Sequence, residues 1–232
     1  MPDIKVLDAI PFAPNAGRLM EQLHIAADAP EAAEFRALLD RLKAVAQPRA
    51  LFGVAFIDRQ DEGSVTVEGV TFTSRVLAHN LAGLHRVFPY IASCGPEMDR
   101  VIDPAGDYLL QFWIDAVKAD ALMAARTFLV DHLTGTFATG KLSSMNPGSG
   151  DVDVWPIEEQ QLLFGYFGDT EALVRVRLTD SCLMVPNKSV SGIFFPREIT
   201  FTACSLCHRK NCIGRQADFD PHEVAAVNRR TP

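Results

Sequence analysis

No stretch of this chain approaches the roughly 20 consecutive apolar residues that cross a bilayer. The longest helical pattern is interrupted by Asp115, Lys118, Asp120 and Arg126. Basic residues do not gather into a stripe either: 22 Lys and Arg are outnumbered by 29 Asp and Glu, a formal charge of −7, which excludes generic nucleic-acid binding. No run of Gly, Ser or Pro marks an interdomain linker and no internal repeat is visible, so one domain of 232 residues is expected. The opening residues MPDIKVLDAIPFAPN carry acids and prolines but no basic stretch leading into an apolar core of signal-peptide length. The expectation is a cytoplasmic protein without membrane contact. Hydrolytic motifs are missing too: there is no G-x-S-x-G elbow or H-E-x-x-H helix, and His79 and His85 are not on one helix face.

Cysteine is scarce, at five residues, yet three of them are Cys204, Cys207 and Cys212 in ACSLCHRKNCIGR. A C-x2-C-x4-C loop can turn three thiolates around one point, which suits an iron–sulfur cluster or Zn2+. Arg209, Lys210 and Arg215 beside it would favour the thiolate forms. With thiols kept reduced in the cytoplasm a disulfide is set aside, and metal binding is the reading preferred over chance clustering or a regulatory thiol pair. Cys94, followed by Gly95 and Pro96, is the expected fourth ligand, with His208 or a partner's side chain as alternatives. Cys182 lies among apolar residues and reads as core.

The pattern along the chain is α+β: a curved, largely antiparallel sheet flanked by helices, one of them long. Residues 30–47 place Phe35, Leu38, Leu39, Leu42 and Val45 at helical spacing, with Asp28 as N-cap. RALFGVAFID and SVTVEGVTF read as two strands across an acidic turn, 73–86 as a helix capped by Thr73 or Ser74, and VFPYIASCG as a strand whose proline suggests an edge. Residues 107–133 form the longest helix, apolar enough all round to suggest a buried central element with Phe112 and Trp113 in the core. From Thr134 to Pro156 the chain is too rich in Gly, Ser, Asn and Pro for regular structure; its glycines permit close approach to a ligand, and Trp155 beside it either lines a cleft or joins the core. Three β-type runs then lead into the cysteine loop. Asp99 and Asp107 read as solvated or capping.

Several runs carry a resemblance: PGSGDVDVWP, EEQQLLFGYF and LTDSCLMVPNKSVSGIFF between Asn146 and Pro196, and upstream PRALFGVAFIDR. In order and wording they resemble the activation domain of cobalamin-dependent methionine synthase, most of Pro48 to Thr202 being covered. The stand-alone members with a C-terminal cysteine motif are the nearest in kind. The resemblance implies residues 1–47 as a helical segment packed on an activation-like domain, 48–202, with the cysteine loop and tail at 203–232. It also implies S-adenosylmethionine as ligand, cobalamin supplied by a corrinoid methyltransferase partner, and help in reducing and remethylating cob(II)alamin. The implied ligand site takes in Ser144, Asn146, Pro147 and Gly148 on the Pro-Gly loop, Phe201 on the aromatic strand, and Asp61 or Glu62 as the upstream acid.

Two departures bear on that site. Where the family motif begins with an arginine that pairs with the ligand carboxylate this chain has Ser144, and where it ends in Gly-Tyr this chain has Gly148-Ser149. Serine cannot replace a guanidinium fork, so weak or altered binding is expected unless Lys141 reaches in as a point charge. Two functions remain open. In one, the chain is a reactivation partner whose iron–sulfur cluster relays an electron from a donor protein. In the other, it is a non-catalytic corrinoid-protein binding module with a degenerate ligand site and structural zinc.

Overall fold

The computed structural model describes residues 3–101, 106–150, 154–197, 203–208 and 217–228. Elements follow as β1 (Asp3–Leu7), α1 (Ala16–Gln22), α2 (Pro30–Val45), β2 (Arg49–Gln60), β3 (Ser64–Val67), β4 (Val70–Thr73), α3 (Arg75–Leu81), β5 (Arg86–Ser93), α4 (Tyr108–Phe137), β6 (Leu142–Met145), α5 (Gln160–Phe167), α6 (Thr170–Val174), β7 (Arg177–Leu178), β8 (Met184–Val185), β9 (Ser189–Pro196) and α7 (Pro221–Asn228). The main sheet is curled and antiparallel, ordered β4-β3-β2-β5-β9-β6, with β1 paired to the first half of β2. Twelve residues make β2 long enough to be shared: β1 takes Ala50 to Val54, and β3 takes Ile57 to Gln60, with a register shift between Ile57 and Arg59. That shift bends the strand and helps the sheet curl.

Side-chain alternation gives the sheet two buried faces. Ala50, Phe52, Phe88, Tyr90 and Phe194 face one way, covered by Ala125, Leu129 and Leu133 of α4. Leu51, Val87, Ile91, Ile193 and Phe195 face the other, against α3, α5 and Trp155. A third cluster joins α1, α2 and the first half of α4 through Leu19, Phe35, Leu42, Trp113 and Val117. Each such Leu, Val or Phe contributes about 1.5–3 kcal/mol by leaving water.

The long helix is buried on one stripe only. Trp113, Val117, Ala121, Ala125, Leu129 and Leu133 recur every four residues, while Phe112, expected in the core, is 59% exposed. Asp107 caps this helix through a hydrogen bond from the Leu110 N–H, 2.9 Å. Ala29, not Asp28, is the N-cap of α2, with Pro30 in its first turn. The stretch 64–72 is a hairpin, not one strand, because Glu68 and Gly69 both take positive φ and reverse the chain. Regular structure also enters 134–156: α4 runs on to Phe137 and β6 follows. The N-terminal segment opens with a strand before its helices.

Pro89 lies in a central strand, where an edge was expected. The ladder between β2 and β5 pairs Phe52 with Tyr90 and Ala55 with Val87 and skips the positions between, where proline has no N–H to give. Gly53 occupies that gap, and a Cβ there would collide with the Tyr166 ring. Gly53→Ala is therefore expected to destabilise by about 1–3 kcal/mol. The Tyr166 hydroxyl is buried with no hydrogen-bond partner among the described residues, so Tyr166→Phe is expected to be neutral or mildly stabilising. Urea unfolding of both variants checks the pair; a neutral Gly53→Ala would contradict the packing described.

Candidate functional site

Strand β6 lies at the sheet edge, with Ser144 opposite Phe194 and Met145 opposite Ile193. Met145 and Ile193 enter the Trp155 cluster, so alternation turns Ser144 and Phe194 toward α4. One helical turn beyond Leu122, α4 presents Arg126. Its Nη2 donates to the Ser144 hydroxyl at 3.0 Å, and its guanidinium carbon sits 5.4 Å from the centre of the Phe194 ring. That arrangement suits a planar cation, attracted by the ring face and steered by one hydrogen bond.

Next along the chain, the Asn146 amide nitrogen donates to Tyr90 Oη and to the Ser191 carbonyl, both at 2.7 Å. Tyr90 in turn stacks on Phe194 with centroids 4.0 Å apart. Gly192 makes this possible, since a Cβ there would collide with the Met145 carbonyl and the Asn146 amide. The V-S-G run is thus a close-approach site for β6. Pro147 is buried, and Gly148 takes φ +76° and donates to the Trp155 carbonyl at 2.8 Å. Gly148, Gly150, Pro156, Ile157 and Glu158 border a cavity of about 370 Å³. Trp155 is core, not cleft lining; its indole N–H donates to Glu159, whose carboxylate accepts from the Thr73 N–H and ties the loop to β4.

The structure therefore brings Ser144, Asn146, Pro147 and Gly148 together. Lys141 is exposed just before β6, on the strand parity opposite to Ser144. Asp61 and Glu62 occupy the β2–β3 turn, at the end of the sheet order opposite β6, and the Asp61 carboxylate already accepts two hydrogen bonds from Arg59 at 2.9 and 2.7 Å. Phe201 and Cys212 lie outside the described residues.

Cys204 and Cys207 bracket a 3-10 turn closed by Cys207 N–H to Cys204 C=O, 3.2 Å, and both are half-buried. Cys94 stands apart. Its thiol donates to the Gly95 carbonyl within the Trp113 cluster, whereas Leu206 of the 3-10 turn packs into the Trp155 cluster. Burial pushes the Cys94 thiol from 9.0 to about 12, against a smaller opposing pull from Lys118. Among the described residues no three His, Cys, Asp or Glu side chains gather as a metal group.

Other charged motif residues prove structural. Arg49 of PRALFG is buried and grips Glu97 through two hydrogen bonds, 2.8 and 3.1 Å. Asp99 stays exposed, as a solvated residue is expected to, and also pairs with buried Lys118 at 2.6 Å. Arg126 and Tyr90 were not foreseen as site residues. Arg126 registered only as a charge interrupting a helix, and no local pattern signals which side chain a helix will present to a distant edge strand.

An α+β domain with one curled antiparallel sheet and a long helix across it is the class that the fold defines. It matches the crystal structure of the MetH reactivation domain bound to AdoHcy, with a TM-score of 0.58 and 16% sequence identity over 86% of this chain and 81% of that one. At that identity the likeness establishes the shared fold. No protein-family model matches the chain, and no curated protein matches it.

Removing the Asn146 amide orphans two acceptors, so Asn146→Ala is expected to cost about 1–3 kcal/mol in urea unfolding; no loss would contradict the bridge to Tyr90 and Ser191. The raised Cys94 thiol favours the folded state below its ordinary range, and this contribution is lost as pH rises from about 9 toward about 12. Under iodoacetamide at pH 8, Cys204 and Cys207 of metal-free native protein are expected to label before Cys94, as read by peptide mass spectrometry. Early Cys94 labelling would overturn its burial.

Proposed function

We propose that this chain is a reactivation partner of a cobalamin-dependent methyltransferase, holding an S-adenosyl ligand beside β6 and docking onto the corrinoid-binding protein. The observation that carries the reading is the edge-strand site itself, a Pro-Gly turn with Ser144 and Asn146 on the fold of a domain solved with AdoHcy. The chemistry asked of such a complex is simple to balance. One electron takes cob(II)alamin to cob(I)alamin, and transfer of the sulfonium methyl group to cobalt leaves S-adenosylhomocysteine. Methionine synthase is the partner that the sequence resemblance suggests. Within the chain, the loop binds and orients the donor, and the Trp155–Glu159–Thr73 tie, anchored by the buried Trp155, keeps that loop fixed.

The cysteine loop enters the proposal as a site for an iron–sulfur cluster or Zn2+. Two thiols on one half-buried turn fit a soft metal. Cys94, held in another cluster, does not support a fourth ligand, which leaves His208 or a partner side chain. An iron–sulfur cluster would supply the electron, delivered by a donor protein; zinc would make the loop a clamp.

Two measurements test this. Titration calorimetry is expected to show one S-adenosylhomocysteine per chain, and the protein is expected to speed methylation of a corrinoid methyltransferase held as cob(II)alamin, with S-adenosylmethionine and a low-potential reductant. Absence of both sinks the reading. Protein purified without oxygen is expected to carry stoichiometric iron with visible charge-transfer absorption that Cys207→Ser removes; zinc in its place assigns the clamp, and no metal removes this part of the proposal.

A further inference from the structure

Arg126 differs from Arg18, Arg49, Arg59 and Arg175 in having no carboxylate partner among the described residues. Arg18 meets Asp120, Arg49 and Arg175 meet Glu97, and Arg59 meets Asp61. Arg126 instead donates one hydrogen bond to Ser144 and lies over Phe194, with no acid within ion-pair distance among the described residues. A guanidinium has five N–H donors in a fixed fork, and Ser144 uses one. The cation is half-buried, so leaving it without a counter-charge costs more than at an open surface. Beside it, both hydrogens of the Asn146 amide are committed to Tyr90 and Ser191, which points its oxygen, an acceptor, away from those partners.

We infer that Arg126 is the anion-recognising residue of the edge-strand site and binds the carboxylate at the amino-acid end of the S-adenosyl ligand, with Ser144 as the hydroxyl that orients it. This rests on the ligand proposed above. It inverts the expectation drawn from Ser144: the cation reaches the site from α4 across the sheet face, and the strand supplies the hydroxyl that holds it. Ser144 and Gly148 are four positions apart, at most about 14 Å of extended chain, so the fork and the Pro-Gly turn are within reach of two ends of one nucleoside-sized ligand. Ser144→Arg, which would restore a strand arginine, is then expected to weaken binding by setting two guanidinium groups against each other.

The test compares S-adenosylhomocysteine with its carboxyl methyl ester, which keeps the nucleoside and the amine but loses the negative charge. Wild-type protein is expected to bind the acid about ten- to a hundredfold tighter than the ester, and Arg126→Gln to bind the two alike with ester affinity unchanged. If Arg126→Gln does not fold, as thermal melting will show, Ser144→Ala gives the second comparison and is expected to narrow the ratio severalfold. Arg126→Gln or Ser144→Ala that still prefers the acid as wild type does overturns the inference. Wild-type protein that binds acid and ester equally also overturns it while leaving the ligand reading intact; failure to bind either removes both.

Discussion

The register of α4 on the aromatic face of the sheet is the constraint on which the site depends. Ala125, Leu129 and Leu133 lie every four residues and settle over Phe52, Phe88, Tyr90 and Phe194. The small Ala125 lets helix and sheet approach closely. Once that stripe is seated, the next residue along the helix is delivered to the β9–β6 edge, and that residue is Arg126. A shift of one helical turn would place it about 5.4 Å away, beyond the hydrogen bond to Ser144. Packing in the core and the chemistry at the edge are thus one decision.

The same helix divides its labour. Its first half closes the cluster with α1 and α2, which buries Trp113 and Cys94, and its second half covers the sheet. Lys118 sits near the division, 5% exposed and neutralised by Asp99 with Asn187 at 2.8 Å. Removing the half-exposed Asp99 carboxylate would leave the buried Lys118 ammonium with Asn187 and no described carboxylate in contact, which is costly. Close backbone approaches complete the frame: Gly53 admits Tyr166 beneath the interrupted β2–β5 ladder, and Gly192 admits Asn146 at the edge.

Much of this was legible beforehand where the signal is local. Helical spacing gave α2 nearly to the residue, Asp107 announced the start of α4, and the α+β class with one long helix follows from the order of patterns. The Pro-Gly loop and V-S-G run fall on or beside the paired strands β6 and β9. What was not legible is what distance decides. Pro89 reads as an edge residue until a central strand is seen to skip one ladder step for it. Phe112 and Trp113 are neighbours of like character, and only the partner surface determines that Trp113 is buried and Phe112 exposed. Ser144 looked like a lost anchor, and the arginine that donates a hydrogen bond to it, 18 positions upstream, is invisible to any motif. Cys94 looked like a ligand because sequence gives its turn but not the apolar cluster that encloses it.

The most direct measurement is a crystal structure of the chain grown with S-adenosylhomocysteine. The account predicts the ligand against β6, its carboxylate within hydrogen-bond distance of the Arg126 guanidinium and its adenosyl end toward the Pro147-Gly148 turn. A ligand bound elsewhere, or one whose carboxylate turns away from Arg126 toward Lys141, would contradict it.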